Sequence, residues 1–234
     1  MMKKGFTLAE VLITLSIIGV VSALTLPNLS SGYSKQVTAT QLSKAINTLE
    51  NANALALQEN FVSDLTFISG NNNYYDAIKG VLKATTRTSA NFKKYKRFNE
   101  DNLTAMNPPH ISIFDTKDGM TFIQTSANSM VRNIIGNKNS LSTLYNGQYY
   151  SIYVDINGNI KGPNILGKDL FLLLIDTNGS VIPRGGTAWE EYYRAGNPSK
   201  PEWQSKCTKA TVSKNDGLAC AGAIVDNGYS VNYF

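Results

Sequence analysis

One stretch limits the rest of this 234-residue chain. From Phe6 to Leu26 the sequence is almost unbroken in its apolarity, with Thr7, Thr14, Ser16, Ser22 and Thr25 as its only uncharged polar members. About 20 apolar residues suffice to cross a bilayer as a helix. Lys3 and Lys4 stand before the run, which predicts a cytoplasmic N-terminus with the remainder outside. One carboxylate, Glu10, interrupts the apolar face near its start. A charge inside a spanning segment costs about 2.5–3.5 kcal/mol on insertion scales and usually has a partner or a role.

A partner follows from chemistry if the chain is cut between Gly5 and Phe6. Phe6 then gains a free ammonium group. An amine and a carboxylate four residues apart do not readily satisfy each other within one helix. Two parallel copies offset by one step would place amine against carboxylate, and a buried charge left unpaired is penalised. An ordinary secretory signal with Val21-Ser22-Ala23 as its cleavage site, or a plain anchor, explains neither Glu10 nor Gly5 directly before Phe6.

The run Lys3-Lys4-Gly5-Phe6-Thr7-Leu8-Ala9-Glu10-Val11-Leu12 resembles the leader and methylation site of type IV prepilins and type II secretion pseudopilins. The resemblance covers roughly the first 30 residues. It implies cleavage after Gly5, N-methylation of Phe6 and a recruiting role for Glu10, with Gly19 and Pro27 as helix-loosening and kinking positions. It further implies a prepilin peptidase and methyltransferase, other copies and minor pilins in a helical filament, and an inner-membrane assembly platform with its motor. The implied location is the inner membrane before assembly and an extracytoplasmic filament afterwards. The fold expected is α+β and pilin-like: a long N-terminal helix packed on an antiparallel sheet. A surface adhesin or binding protein that never polymerises is the alternative.

The expected organisation is a leader at 1–5, a transmembrane and assembly helix at 6–26, its amphipathic continuation at 27–60, and a globular domain at 61–234. Pro27 lacks a backbone donor and is expected to kink or interrupt the helix, with Ser30, Ser31 and Gly32 weakening it further. Beyond Ser34, Leu42, Ala45, Ile46, Leu49, Ala52 and Ala56 recur at steps of three and four, an apolar stripe for a core. Lys44, Asn47, Glu50 and Asn51 fall off it.

Tyr74, Tyr75, Ile78, Val81 and Leu82 predict a short amphipathic helix. Arg87, Lys93, Lys94, Lys96 and Arg97 alternate with Phe92, Tyr95 and Phe98. Such a pattern can track a nucleic-acid strand, but a solvated face is the stronger reading, and a net charge of +5 does not demand nucleic acid. The one histidine, His110, has no second ligand type beside it. Turn signals then separate strands: Ile111–Phe114 and Met120–Gln124 around Asp115–Gly119, Tyr149–Val154 before Asp155, and Leu170–Ile175 before Asp176–Gly179. Thr187 and Glu190 have capping-box spacing for a helix over 187–194. Ala223–Val225 and Tyr229–Phe234, joined by Asp226-Asn227-Gly228, suggest a last hairpin.

Asp155, Asn157 and Asn159 have the alternating oxygen spacing that opens a calcium loop. The pattern then fails, with Ile160 where glycine is required and Leu166 where the bidentate Glu belongs. A plain turn is the stronger reading and no cofactor is expected. Cys207 and Cys220 would face an exposed compartment, where they are either a disulfide or two free thiols. The pilin resemblance implies the disulfide. With no nucleophile elbow, phosphate loop or paired metal motif, an enzyme is not expected.

Overall fold

The computed structural model describes residues 5–65, 71–87, 95–99, 113–124, 150–194, 199 and 206–234. The chain divides into two units, Met1–Val37 and Thr38–Phe234. The first helix, α1 (Leu8–Glu59), supplies residues to both. It is unbroken at Pro27 and Gly32, so the expected interruption does not occur. A proline in a helix removes one bond of the ladder, and here the turns on either side continue.

In the first unit the large apolar residues of α1 whose side chains are described, among them Leu12, Ile13, Leu15, Ile17, Ile18, Val20 and Val21, are exposed. Leu8–Thr25 is long and apolar enough to cross a membrane.

The second unit is α+β and pilin-like. Its described strands are β1 (Thr85–Thr86), β2 (Ile113–Asp115), β3 (Thr121–Gln124), β4 (Tyr150–Asp155), β5 (Leu170–Ile175) and β6 (Val181–Pro183). They form one antiparallel sheet in sequence order. The register aligns Phe114, Phe122, Val154 and Phe171 on one face. These join Leu42, Ala45, Ile46, Leu49, Ala52 and Ala56 of α1 in a single core. The predicted stripe is therefore the buried one, and Lys44, Asn47, Glu50 and Asn51 are exposed. Each fully buried leucine contributes about 2 kcal/mol.

The alternate residues Ile113, Ile123, Tyr153, Leu170 and Leu172 line the other face, with Tyr95 and Leu166 packed against them. That is why β5 is apolar throughout: it is buried on both sides. The amphipathic helix predicted after the first loop is α2 (Asn71–Val81), with Tyr74, Tyr75 and Ile78 buried.

Two other expectations need correction. The C-terminal hairpin is instead the helix α4 (Cys220–Asp226) followed by an irregular tail. The small residues Ala219, Ala221 and Gly222 explain it. A Cβ at Gly222 would overlap the Gly185 carbonyl, so the backbones touch. Val231 and Tyr233 of the tail are buried in the core, and the Tyr233 hydroxyl donates to the Gly167 carbonyl. The helix near Thr187 is present as α3 (Gly186–Arg194). However, Thr187 donates through its N–H and its hydroxyl to Asp226 of α4. The cap comes from another helix, where a local box with Glu190 was expected.

Candidate functional site

Gly5, Phe6 and Thr7 precede α1 and lie outside it. All three are exposed, Phe6 by 89%. The Gly5–Phe6 bond is therefore in non-helical, accessible backbone. Thr7 is the N-cap. Its N–H and its hydroxyl both donate to Glu10 Oε2 at 2.8 Å, and its Oγ accepts from the Glu10 N–H at 3.3 Å. This is a reciprocal capping box, and it also puts the carboxylate at the positive end of the helix dipole. Sequence reasoning sought a partner for Glu10 in another copy and missed the one three residues away. The Thr-x-x-Glu spacing was the available signal.

The box uses no atom of residues 1–5, so cleavage after Gly5 would leave it intact. It also occupies one carboxylate oxygen only. Glu10 Oε1 has no hydrogen bond among the described residues. Gly19 has open space where a side chain would begin, and Pro27 lies within helical backbone.

The Asp155 loop is a turn, the stronger of the two readings its sequence offered. Asp155 Oδ1 accepts the N–H groups of Asn157 and Gly158 at 3.2 and 2.9 Å, an Asx turn. Its Oδ2 accepts the Tyr95 hydroxyl at 2.6 Å. Gly158 has φ +85 and no room for a Cβ beside the Gly119 carbonyl. The Asn159 N–H donates to Thr121 Oγ at 3.2 Å. Burial, and then the Asp169 charge, push Asp155 up to about 7. Among the described residues no three His, Cys, Asp or Glu side chains group as a metal centre.

Of the basic residues after α2, Arg87 and Arg97 are used within their own unit, while the Lys96 side chain is exposed. Arg87 pairs with Asp115 at 2.8 Å and Arg97 with Asp216 at 3.1 Å. Tyr95 is buried, and Phe98 packs on Tyr233 and Phe234. Phe92, Lys93, Lys94 and His110 lie outside the described residues. Cys207 and Cys220 are joined as a disulfide that encloses residues 208–219.

No curated protein and no solved structure matches the chain. Residues 1–26 match the family model described as the prokaryotic N-terminal methylation motif. The matched segment contains Gly5, Phe6, the Thr7–Glu10 box and the exposed apolar turns of α1. The chain thus carries at its N-terminus the signature of type IV prepilins and pseudopilins.

Proposed function

We propose that this protein is a membrane-inserted precursor that becomes a structural subunit of a type IV pilus or type II secretion filament. A prepilin peptidase cuts after Gly5 and the new N-terminus, Phe6, is methylated. The subunit then polymerises through α1 with other copies and minor pilins, drawn from the inner membrane by an assembly platform and its motor. The observation that carries this reading is the motif match over residues 1–26 on a helix whose apolar face is fully exposed.

The box geometry suggests how Glu10 serves two stages. Oε2 remains with Thr7 throughout, holding the carboxylate at a fixed rotamer. Oε1 is available for the Phe6 ammonium of the adjoining copy. In lipid that acceptor is unpaired and costly; in the filament it is paired. No hydrophobic gain separates lipid from neighbouring helices, so this pairing and close packing favour the assembled state. The role is structural, and no step of it is catalytic.

Mass spectrometry of the mature protein tests the reading. A chain beginning at Phe6 and carrying one added methyl group is the expected result. A chain retaining residues 1–5 in cells with an active prepilin peptidase would refute it. A chain beginning at Leu24 would assign the segment to ordinary secretion instead.

A further inference from the structure

The end of α1 breaks three local preferences at once. The helix stops in a Schellman motif: the Phe61 N–H donates to the Gln58 carbonyl and the Val62 N–H to the Leu57 carbonyl, both at 3.1 Å. Leu57 and Val62, packed against the core, supply the apolar contact that accompanies the motif. Its left-handed position usually belongs to glycine. Here Phe61 takes it, with φ 53°, where the Cβ of an L-residue crowds the following carbonyl. The ring gains no burial in exchange and is 96% exposed. Two residues earlier, Glu59 puts a carboxylate in a last turn that has no basic residue, against the helix dipole. Glu59 is exposed and in no ion pair among the described residues. Choices that cost the subunit and serve no contact within it mark a surface kept for a partner.

The opposite end of the second unit carries the complement. The Thr38 hydroxyl donates to the Lys168 carbonyl, just before β5, at 3.3 Å. The Leu65 N–H donates to the Thr177 carbonyl, just after β5, at 2.8 Å. So β5 starts where α1 enters the unit and finishes where α1 stops. Asp155 pairs with Leu170, which places the β4–β5 loop at the entry end. Ile160 of that loop is 59% exposed; it and Phe61 are the two most exposed large apolar side chains described in this unit. Lys161 beside it is exposed and in no ion pair among the described residues. The helix from Thr38 to Glu59 is about 30 Å long, so the two patches lie at opposite poles and cannot meet within one copy.

We propose that Phe61 and Glu59 of one copy dock on Ile160 and Lys161 of a second copy placed head to tail along α1. The ring supplies the buried apolar anchor, and the acid facing the base fixes register. Two different surfaces meet, so the contact is heterologous and repeats without closing, as a filament requires. The contact rests on the filament reading and gives the second unit a part in it.

The test is made in cells that express and process the full chain. A chain carrying both Phe61→Cys and Ile160→Cys, treated with a short bis-maleimide, should give a ladder of dimers and higher multimers on a denaturing gel. Each single substitution should give monomer, since Cys207 and Cys220 are joined and do not react. Phe61→Gly and Glu59→Arg each relieve a local cost. Each should therefore raise the melting temperature of the full chain in detergent, Phe61→Gly by about 2–4 °C. Each should nevertheless lower the yield of sheared filaments by more than about five-fold. Lys161→Glu should lower it likewise, and Glu59→Arg combined with Lys161→Glu should restore most of it. Absence of the ladder would overturn the proposal, as would wild-type yield from Phe61→Gly or no recovery in the charge-swapped chain. Cross-linking of Phe61→Cys to a different polypeptide would also overturn it and assign the face to another subunit. The mass of the N-terminus separates this failure from that of the filament reading. Chains that begin at Phe6 and give no ladder sink the head-to-tail contact alone; chains that retain residues 1–5 sink both.

Discussion

Asn53 provides the sharpest test of how α1 is held in the second unit. It is polar, 0% exposed, and sits on the apolar stripe between Ala52 and Ala56. Its Nδ2 donates to the Gly179 carbonyl at 2.7 Å and its Oδ1 accepts the Tyr74 hydroxyl at 2.8 Å. One side chain thus ties α1 to the β5–β6 turn and to α2. Asn53→Ala takes a donor from one buried group and an acceptor from another. At about 1–3 kcal/mol for each buried group left unmatched, the loss should be about 3–4 kcal/mol. For a domain of this size that is a fall of roughly 6–16 °C in melting temperature. Tyr74→Phe removes one bond and strands only Asn53 Oδ1, so about 1–2 kcal/mol is expected. In the double variant there is no hydroxyl to strand, and the losses should fall short of the sum by about 1–2 kcal/mol. The assay is denaturant unfolding of the four proteins of the cycle. Additivity within about 0.5 kcal/mol would show that the two side chains are not coupled and would refute the network.

Two further outcomes follow from the geometry. Glu10→Ala should insert and be cleaved after Gly5, yet give little filament by shearing and immunoblot. Thr7→Val, which removes only the hydroxyl half of the box and about 1 kcal/mol of capping, should fall between that variant and the wild type; normal filament yield from Glu10→Ala would remove the proposed role. Replacing Cys207 and Cys220 by serine should cost about 3 kcal/mol, the value for a closed loop of this length. Thermal unfolding of the variant should then match that of the reduced wild type, and an unchanged melting temperature would contradict a stabilising disulfide.

Features decided by period or local turn chemistry could be read directly from the chain. The stripe from Leu42 to Ala56 needed only steps of three and four, and the β2–β3 and β5–β6 turns announced themselves through Asp and Gly. What escaped was set by partners distant in sequence. Asn53 falls in phase with the stripe, four residues after Leu49, but nothing local shows what satisfies it, because its partners are Tyr74 and Gly179. The residues of α4 resembled a strand with a turn, because only the contact with Gly185 explains why Gly222 must be small. Asp226 as the cap of α3 was equally invisible, since Thr187 offered a local alternative. Asp169 is an intermediate case. A carboxylate directly before an all-apolar strand is a signal, but its meaning required knowing that Asp155 ends the neighbouring strand.

The two units meet different physical demands, and that difference is the strongest argument for assembly. The second unit closes its own core with α1, the sheet and the C-terminal helix, and a disulfide fastens its end. Polar groups are also paired within it, as in the Arg87–Asp115 and Asn53–Tyr74 contacts. The first unit has no such closure. Its helix is apolar on every side, so no single partner face would cover it; lipid or a ring of neighbouring helices would. Lipid satisfies the apolar side chains and leaves Glu10 Oε1 without a donor. On the proposed reading, a bundle of like helices would satisfy both once residues 1–5 were gone. Cleavage after Gly5 would then do more than shorten the chain: it would remove Lys3 and Lys4 and create, at Phe6, a cation for the Glu10 carboxylate.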